Sequence, residues 1–221
     1  GMWGWDRVWK KGKKHGKEIW WRRNGKKISE GYYKDGKTHG KYVSWYENGK
    51  KWMETNYKDG KYHGKYVEWH ENGEKKSEGT YKDGKKHGKA TSWHENGKKA
   101  AEGTLRAGVR VGVWTVWYDN GQKKQDGELR DGKESGVWRW WYRSGGLEAE
   151  GSWEQGIRVG TWTTWFRNGL KRREGAYAGN ERSGQWTEWY GHGKKKEHGA
   201  YTEGRKHGPW SGWYQNKKKQ Y

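Results

Sequence analysis

The chain has 221 residues, of which 48 are Lys or Arg and 27 are Asp or Glu, so its formal net charge is +21. Leu, Ile, Val and Phe together number only 17, which is too few for an ordinary aliphatic core. Few aliphatic residues and high charge are typical of disordered chains, but 21 Trp, 15 Tyr and 38 Gly beside one Pro are not. Without Cys, disulfides, thiolate metal sites and a Cys nucleophile are excluded. The composition therefore leaves two possibilities, an unfolded polyelectrolyte rich in aromatic residues or a folded chain whose core consists of aromatic rings.

The predicted elements follow one another in units of 24 residues, and residues 65–88 illustrate one unit. Residues 65–71 are rich in aromatic and β-branched side chains and predict a strand. Asn72-Gly73 predicts a two-residue type I′ hairpin turn, which needs positive φ at both residues. A second strand is expected over about 74–82, and residues 83–88 are expected to form a longer, Gly-bounded turn into the next unit.

Two residue classes keep the 24-residue period without exception. The invariant tryptophans are Trp21, Trp45, Trp69, Trp93, Trp117, Trp141, Trp165, Trp189 and Trp213. The invariant glycines are Gly16, Gly40, Gly64, Gly88, Gly112, Gly136, Gly160, Gly184 and Gly208. This period predicts a single repeat array of nine units over residues 1–221, Lys-rich over roughly 1–104 and Trp-rich over roughly 105–221.

Two strands per unit give about eighteen strands in one meander. The predicted fold class is all-β: an elongated, open, single-layer antiparallel sheet of about nine β-hairpin repeats, twisted or curved. A propeller blade needs four strands and about 40 residues, more than one unit supplies. A β-helix needs stacks of aliphatic side chains, which this composition lacks.

A second aromatic class lies three residues before the invariant tryptophans. Its members are Tyr42, Tyr66, Trp114, Trp138, Trp162, Trp186 and Trp210. Because three is odd, alternation along a strand places the two classes on opposite faces. The predicted turn sets Tyr66 opposite Gly79, where the missing side chain leaves room for a ring. We expect the invariant tryptophans to form the core, and the second class to line a groove that contacts a partner, a second copy or a peptide strand.

Repeated His and carboxylate residues do not predict catalysis. The recurring histidines, His15, His39, His63, His87 and His207, are one unit apart or more, about 10 Å in a two-stranded repeat, which is too far to share a metal ion. The acidic residues of the turns are equivalent and exposed, whereas acid–base pairs need unlike environments. We therefore expect no enzyme activity, no metal site and no cofactor.

The units YKDGKTHGKYVSWYENGKK and YKDGKKHGKATSWHENGKK resemble the MORN repeat (membrane occupation and recognition nexus), most closely its bacterial variant. The resemblance covers essentially the whole chain. It implies a β-hairpin array with a non-enzymatic binding or scaffolding role. Variant-MORN proteins of bacteria include antitoxin or immunity components of toxin systems, while eukaryotic MORN proteins are linked to acidic phospholipids and protein scaffolds. The resemblance thus suggests a scaffold that binds a protein, such as an antitoxin that binds an acidic toxin.

The charge leaves several functions open. Residues 1–110 carry a net charge of +14 and residues 111–221 one of +7, and most lysines fall at turns. Such a surface could bind an acidic protein, acidic lipid or nucleic acid, or it could only keep the sheet soluble. Unpaired edges or the groove could also join two copies into a homodimer. The first residues contain no apolar signal-peptide segment, so a cytoplasmic location is expected.

Overall fold

A computed structural model describes residues 5–6 and 9–215, in which every regular element is a β-strand. The chain divides into two compact units, Gly1–Arg110 (unit 1) and Val111–Tyr221 (unit 2). The division falls inside one strand, Val109–Trp117.

The strands of unit 1 are β1 (Trp5–Asp6), β2 (Trp9–Lys10), β3 (Lys13–Lys14), β4 (Gly16–Trp21), β5 (Lys27–Lys34), β6 (Lys37–Thr38), β7 (Gly40–Trp45), β8 (Lys51–Lys58), β9 (Lys61–Tyr62), β10 (Gly64–Trp69), β11 (Lys75–Lys82), β12 (Lys85–Trp93) and β13 (Lys99–Arg106). After β14 (Val109–Trp117), the strands of unit 2 are β15 (Lys123–Arg130), β16 (Lys133–Trp141), β17 (Leu147–Glu154), β18 (Ile157–Trp165), β19 (Lys171–Ala178), β20 (Glu181–Trp189), β21 (Lys195–Thr202) and β22 (Arg205–Gly212).

Within each unit, most strands pair antiparallel with their neighbours in the chain. Examples are β10 with β11 and β12 with β13 in unit 1, and β16 with β17 and β18 with β19 in unit 2. By contrast, β7 pairs with β5 and β10 pairs with β8, across the short strands β6 and β9. The predicted all-β class, an open antiparallel sheet of hairpins, is confirmed. The described strands outnumber the expected eighteen partly because one residue, such as His39 or His63, interrupts the first strand in the early repeats.

The predicted turn types are wrong, because the two turns of each 24-residue repeat are exchanged. Asp83 (φ 51°) and Gly84 (φ 82°) form the two-residue type I′ turn, with Lys82 directly opposite Lys85. At the other turn Gly73 has a positive φ of 95° and Asn72 does not. There the Gly73 N–H donates to the His70 carbonyl at 2.9 Å, and the His70 N–H donates to the Glu74 carbonyl at 2.8 Å. This is a type I turn followed by a left-handed glycine, the usual three-residue hairpin loop.

The predicted register is nevertheless correct. Tyr66 lies opposite Gly79, and the equivalent pairs Trp114–Gly127, Trp138–Gly151 and Trp162–Gly175 also form. The actual turn first pairs Trp69 with Lys75, and a β-bulge then shifts the register so that Glu68 pairs with Ser77. A bulge adds one residue to one strand, which compensates for the difference in turn length.

The core lies mainly on one face of the sheet, called here the ring face, which carries the second aromatic class. Trp114, Trp138, Trp162, Trp186 and Tyr66 are buried, the last at 3% exposure. The opposite face, called the ladder face, carries the invariant tryptophans, all of which are half-buried. The expected core assignment is therefore corrected, because the second class is buried more deeply than the invariant one.

Candidate partner-binding surfaces

The seven aromatic residues expected to line an open groove are packed against their own sheet. Five are buried, and Tyr42 and Trp210 are half-buried. Contact between these residues and a partner stays a prediction.

Glycine explains how such large rings pack on a single sheet. The ring of Trp162 covers Gly151, so closely that a Cβ there would overlap Cδ2 and Cε2 of the indole. The indole Nε1–H then donates to the carbonyl of the next residue, Ser152, at 3.2 Å. The same arrangement recurs in the pairs Trp138–Gly127, Trp186–Gly175 and Trp210–Gly199. A bare backbone thus gives each ring both a flat surface and a hydrogen-bond acceptor.

Lysines and carboxylates fill the ladder face between the invariant tryptophans. Lys51 Nζ lies 5.4 Å from the ring centre of Trp69 in the next repeat and 2.7 Å from Glu54 Oε2. The same Lys-x-x-acid pattern joins Lys27 to Glu30, Lys75 to Glu78, Lys99 to Glu102, Lys123 to Asp126 and Lys171 to Glu174. The prediction from sequence missed this network, although Lys and Glu recur three residues apart with the 24-residue period.

The ion pairs shift the glutamate titration. A hydrogen bond from Lys41, and then one from Lys51, lower the pKa of the Glu54 carboxyl below its ordinary value, outweighing the effect of burial. Lys17 and Lys27 lower the pKa of Glu30 in the same way. Glu30 and Glu54 are therefore charged at neutral pH and neutralise part of the lysine charge of this face.

The type I′ turns of unit 1 carry a second, unneutralised set of lysines, called here the lysine edge. At the first four of these turns two lysines face each other directly, and all eight are exposed, while the fifth turn, Ala107-Gly108, lies between Arg106 and Val109. The pairs are Lys10–Lys13, Lys34–Lys37, Lys58–Lys61 and Lys82–Lys85. Within residues 5–6 and 9–215, none of the eight amines has a carboxylate within ion-pair distance.

At the same turn positions, the described residues of unit 2 form no comparable series. The directly opposed pairs there are Arg130–Lys133, Glu154–Ile157, Ala178–Glu181 and Thr202–Arg205. The fold therefore tolerates neutral, acidic and apolar residues at these positions. The lysine edge is a property of unit 1 and not a requirement of the repeat.

The histidines of unit 1 take part in turn contacts. Nδ1 of His15, His39 and His63 lies 3.7, 3.5 and 3.9 Å from the carboxylate of Asp35, Asp59 and Asp83, one repeat further on. Among the residues that the structure describes, no group of three or more His, Asp or Glu side chains is arranged to hold a metal ion. The described part of the chain also contains no helix long and apolar enough to cross a membrane.

The hairpins are further joined from one repeat to the next. Asn48 Nδ2 donates to the Glu71 carbonyl at 2.9 Å, and the Tyr46 hydroxyl donates to the Trp69 carbonyl at 2.7 Å. At the opposite edge of the sheet, where the type I′ turns lie, the N–H of Gly60 donates to the Thr38 carbonyl at 2.8 Å. These contacts fix the spacing between repeats and hence between the lysine pairs.

Comparison with known proteins agrees with this architecture. The family model of the MORN repeat variant matches six consecutive segments, residues 14–35, 38–59, 62–83, 86–106, 110–131 and 134–155. No curated protein matches the chain significantly. The family matches cover more than half of the chain and coincide with the hairpins described above, so the chain belongs to the MORN repeat variant family.

Proposed function

We propose that this protein is a non-enzymatic repeat scaffold that binds an acidic partner protein through the lysine edge of unit 1. The observation that carries the proposal is the placement of lysine opposite lysine at four successive turns. Like charges directly opposed on neighbouring strands destabilise a sheet. Keeping four such pairs costs stability, and an acidic partner that neutralises them would offset that cost.

The lysine edge suits a protein surface better than a uniform polyanion. Asp35, Asp59 and Asp83 lie in the turns between the paired lysines, so each of these turns presents both signs of charge. A partner with mostly acidic and some basic side chains can match both signs, whereas a row of phosphates can match only the lysines. Consecutive turns are about 10 Å apart, since each repeat adds two strands, and a folded protein surface can span several of them.

The resemblance to bacterial variant-MORN proteins suggests a more specific form of this proposal. The acidic partner would be a toxin, and the present chain its antitoxin or immunity component. The alternative is an electrostatic binder of acidic lipid or nucleic acid, favoured by the same eight unneutralised lysines and the net charge of +21.

The test is an affinity purification from the source organism with the full chain as bait. An edge variant carries K34Q, K37Q, K58Q and K61Q, and a control variant carries K65Q, K76Q, K124Q and K195Q, which removes the same charge elsewhere. We expect the wild type and the control to retain one acidic protein in stoichiometric amount, and the edge variant to lose it. Recovery of no such protein, or retention by the edge variant, contradicts the proposal.

Two further measurements separate the finer possibilities. If the recovered partner arrests growth when expressed alone and the present chain relieves the arrest, the antitoxin assignment is supported. A partner that does not arrest growth contradicts the antitoxin assignment but is consistent with a scaffold that binds an acidic protein. Single-stranded DNA and anionic vesicles are titrated in parallel at 50 and 300 mM salt. Tight binding to either one with a steep salt dependence, in the absence of a protein partner, favours the electrostatic alternative.

A further inference from the structure

We propose that unit 2 contains a binding site for a monocarboxylate with an aromatic body. The site is a cavity of about 410 Å³ on the ring face, formed by strands β16 to β19. This volume falls within the range of small-molecule sites. The proposal is independent of the lysine edge, which belongs to unit 1.

Two small residues lie side by side at the cavity on the ring face. Ala149 of β17 pairs with Thr164 of β18 on one side and with Trp140 of β16 on the other. At the register of Ala149, some repeats carry larger side chains, such as Met53 and Arg173, while Ala101 is the same residue. The rings of Trp140, Trp153 and Trp162 also line the cavity and supply most of its apolar surface.

Two guanidinium groups border the cavity. The Arg158 guanidinium carbon lies 5.4, 4.9 and 5.4 Å from the ring centres of Trp153, Trp162 and Tyr177, which fix its position. Arg172 lies over Phe166 at 5.8 Å. Neither arginine has a carboxylate within ion-pair distance in the part of the chain that the structure describes. By contrast Arg182, one repeat after Arg158, donates a hydrogen bond to the Tyr201 hydroxyl at 2.8 Å.

Two more polar groups at the cavity are buried without a hydrogen-bond partner, Trp153 Nε1 and Thr164 Oγ1. The indole N–H groups of Trp138, Trp162, Trp186 and Trp210 all donate to a backbone carbonyl, so Trp153 departs from the pattern of its neighbours. Buried polar groups are normally paired, so these two leave hydrogen-bonding capacity unused beside the cavity.

Charge selects the class of ligand. Arg158 and Arg172 contribute two positive charges and Glu148 one negative charge, which leaves one positive charge for the site. A monoanion balances this, whereas a phosphate dianion would exceed it. The planar guanidinium fork matches the two oxygens of a carboxylate, and ring walls suit a flat apolar body. The carboxylate could belong to a free aromatic acid or to the C-terminus of a peptide that ends in an aromatic residue.

The experiment is isothermal titration of the full chain with 2-naphthoate, with its amide, and with a short peptide ending in Trp as free acid or C-terminal amide. We expect at least one free acid to bind at least tenfold more tightly than its amide, and the arm that binds identifies the source. R158Q should weaken that binding at least tenfold, while the matched variant R182Q should change it less than twofold.

A second variant tests the site without changing Arg158, because R158Q could lose binding through a change in folding. A149M fills the cavity with the side chain that Met53 places at the same register, and it should abolish binding while the circular dichroism spectrum is unchanged. Equal binding of acid and amide, binding by neither acid, or full binding by A149M or R158Q overturns the proposal. The edge variant of unit 1 should bind the acid normally, so failure of the proposed function and failure of this site are distinguishable.

Discussion

At the scale of single residues, the central device of this protein is a ring placed on a glycine. Trp138 pairs in register with Gly151, yet its ring covers Gly127 on the neighbouring strand, and Trp162 in turn covers Gly151. Each ring thus bridges adjacent hairpins. A sheet with 17 aliphatic residues obtains its buried apolar area in this way, because an indole that lies flat on backbone buries most of one face.

This packing predicts a large effect for one methyl group. Gly151→Ala should lower the free energy of unfolding by about 3 kcal/mol, since the new Cβ would overlap the Trp162 ring and force it off the backbone. Gly146→Ala is the control, because a Cβ there meets nothing within 4 Å. Urea unfolding followed by circular dichroism measures both. Equal midpoints for the two variants would contradict the ring-on-glycine account.

The Glu54 carboxylate predicts a pH dependence. Its pKa in the folded chain is lowered by Lys41 and Lys51, so its ion pairs stabilise the fold above the unfolded pKa near 4.5 and lose that effect as pH falls through the folded pKa. Glu54→Gln should therefore cost about 1 kcal/mol at pH 7 and less at pH 2.5. Urea midpoints at both pH values measure the difference. Glu47→Gln removes a carboxylate from an exposed turn and is the charge-matched control. A cost for E54Q that is equal at both pH values would refute the assignment.

At the scale of elements, the type I′ turn explains which residues precede its glycine. The first turn position has a positive φ throughout, and Asp35, Asp59, Asp83 and Asp131 fill it at 49–51°. Asp and Asn tolerate this left-handed conformation because their short polar side chains bond locally. Ala107, Gln155 and Glu203 adopt nearly the same angle without that advantage.

The strain at these positions can be relieved by substitution. Ala107→Asn should raise the free energy of unfolding by about 0.5–1 kcal/mol, because Asn-Gly is the preferred type I′ sequence. The reciprocal change Asp83→Ala, at the equivalent turn two β-strands earlier, should lower it by a similar amount. Urea unfolding midpoints test both. If A107N destabilises the chain, the turn assignment is wrong.

At the scale of the whole molecule, the dominant property is a net charge of +21. Repulsion within a strongly charged chain opposes its compact state, and salt screens it over a length that falls from about 10 Å at 0.1 M to about 3 Å at 1 M. On the ladder face carboxylates neutralise lysines, but on the lysine edge of unit 1 they do not. The repulsion between lysines that carboxylates do not neutralise is therefore strongest at that edge.

This distribution predicts that salt stabilises the protein. Raising NaCl from 50 to 500 mM should increase the urea midpoint, and the edge variant K34Q, K37Q, K58Q and K61Q should show a smaller increase from a higher starting value. The salt-induced increase of the control variant at Lys65, Lys76, Lys124 and Lys195 should differ from that of the wild type by less than the increase of the edge variant does. A midpoint independent of salt in the wild type would contradict the argument.

Particular residues mark how far prediction from the sequence reaches. The period of Trp and Gly predicts the hairpins, and it sets Tyr66 opposite Gly79 correctly although the turn beside them was assigned the wrong type. It does so because a one-residue difference in the turn is compensated by a bulge, and neither feature has a separate sequence signal. The unpaired Trp153 Nε1 and the cavity at Ala149 were not predicted, since they depend on which side chains meet across three strands.

The sequence by itself determined the all-β class, the 24-residue hairpin, the family and the excess of lysine at the turns, because each of these follows from local spacing and composition. Only the tertiary structure decided which aromatic class is buried. Alternation places the two classes on opposite faces but does not rank the faces, and the ranking comes from glycines on neighbouring strands that let one set of rings lie flat. It also separated lysines with a glutamate partner from lysines without one, since that depends on distances between side chains of adjacent hairpins.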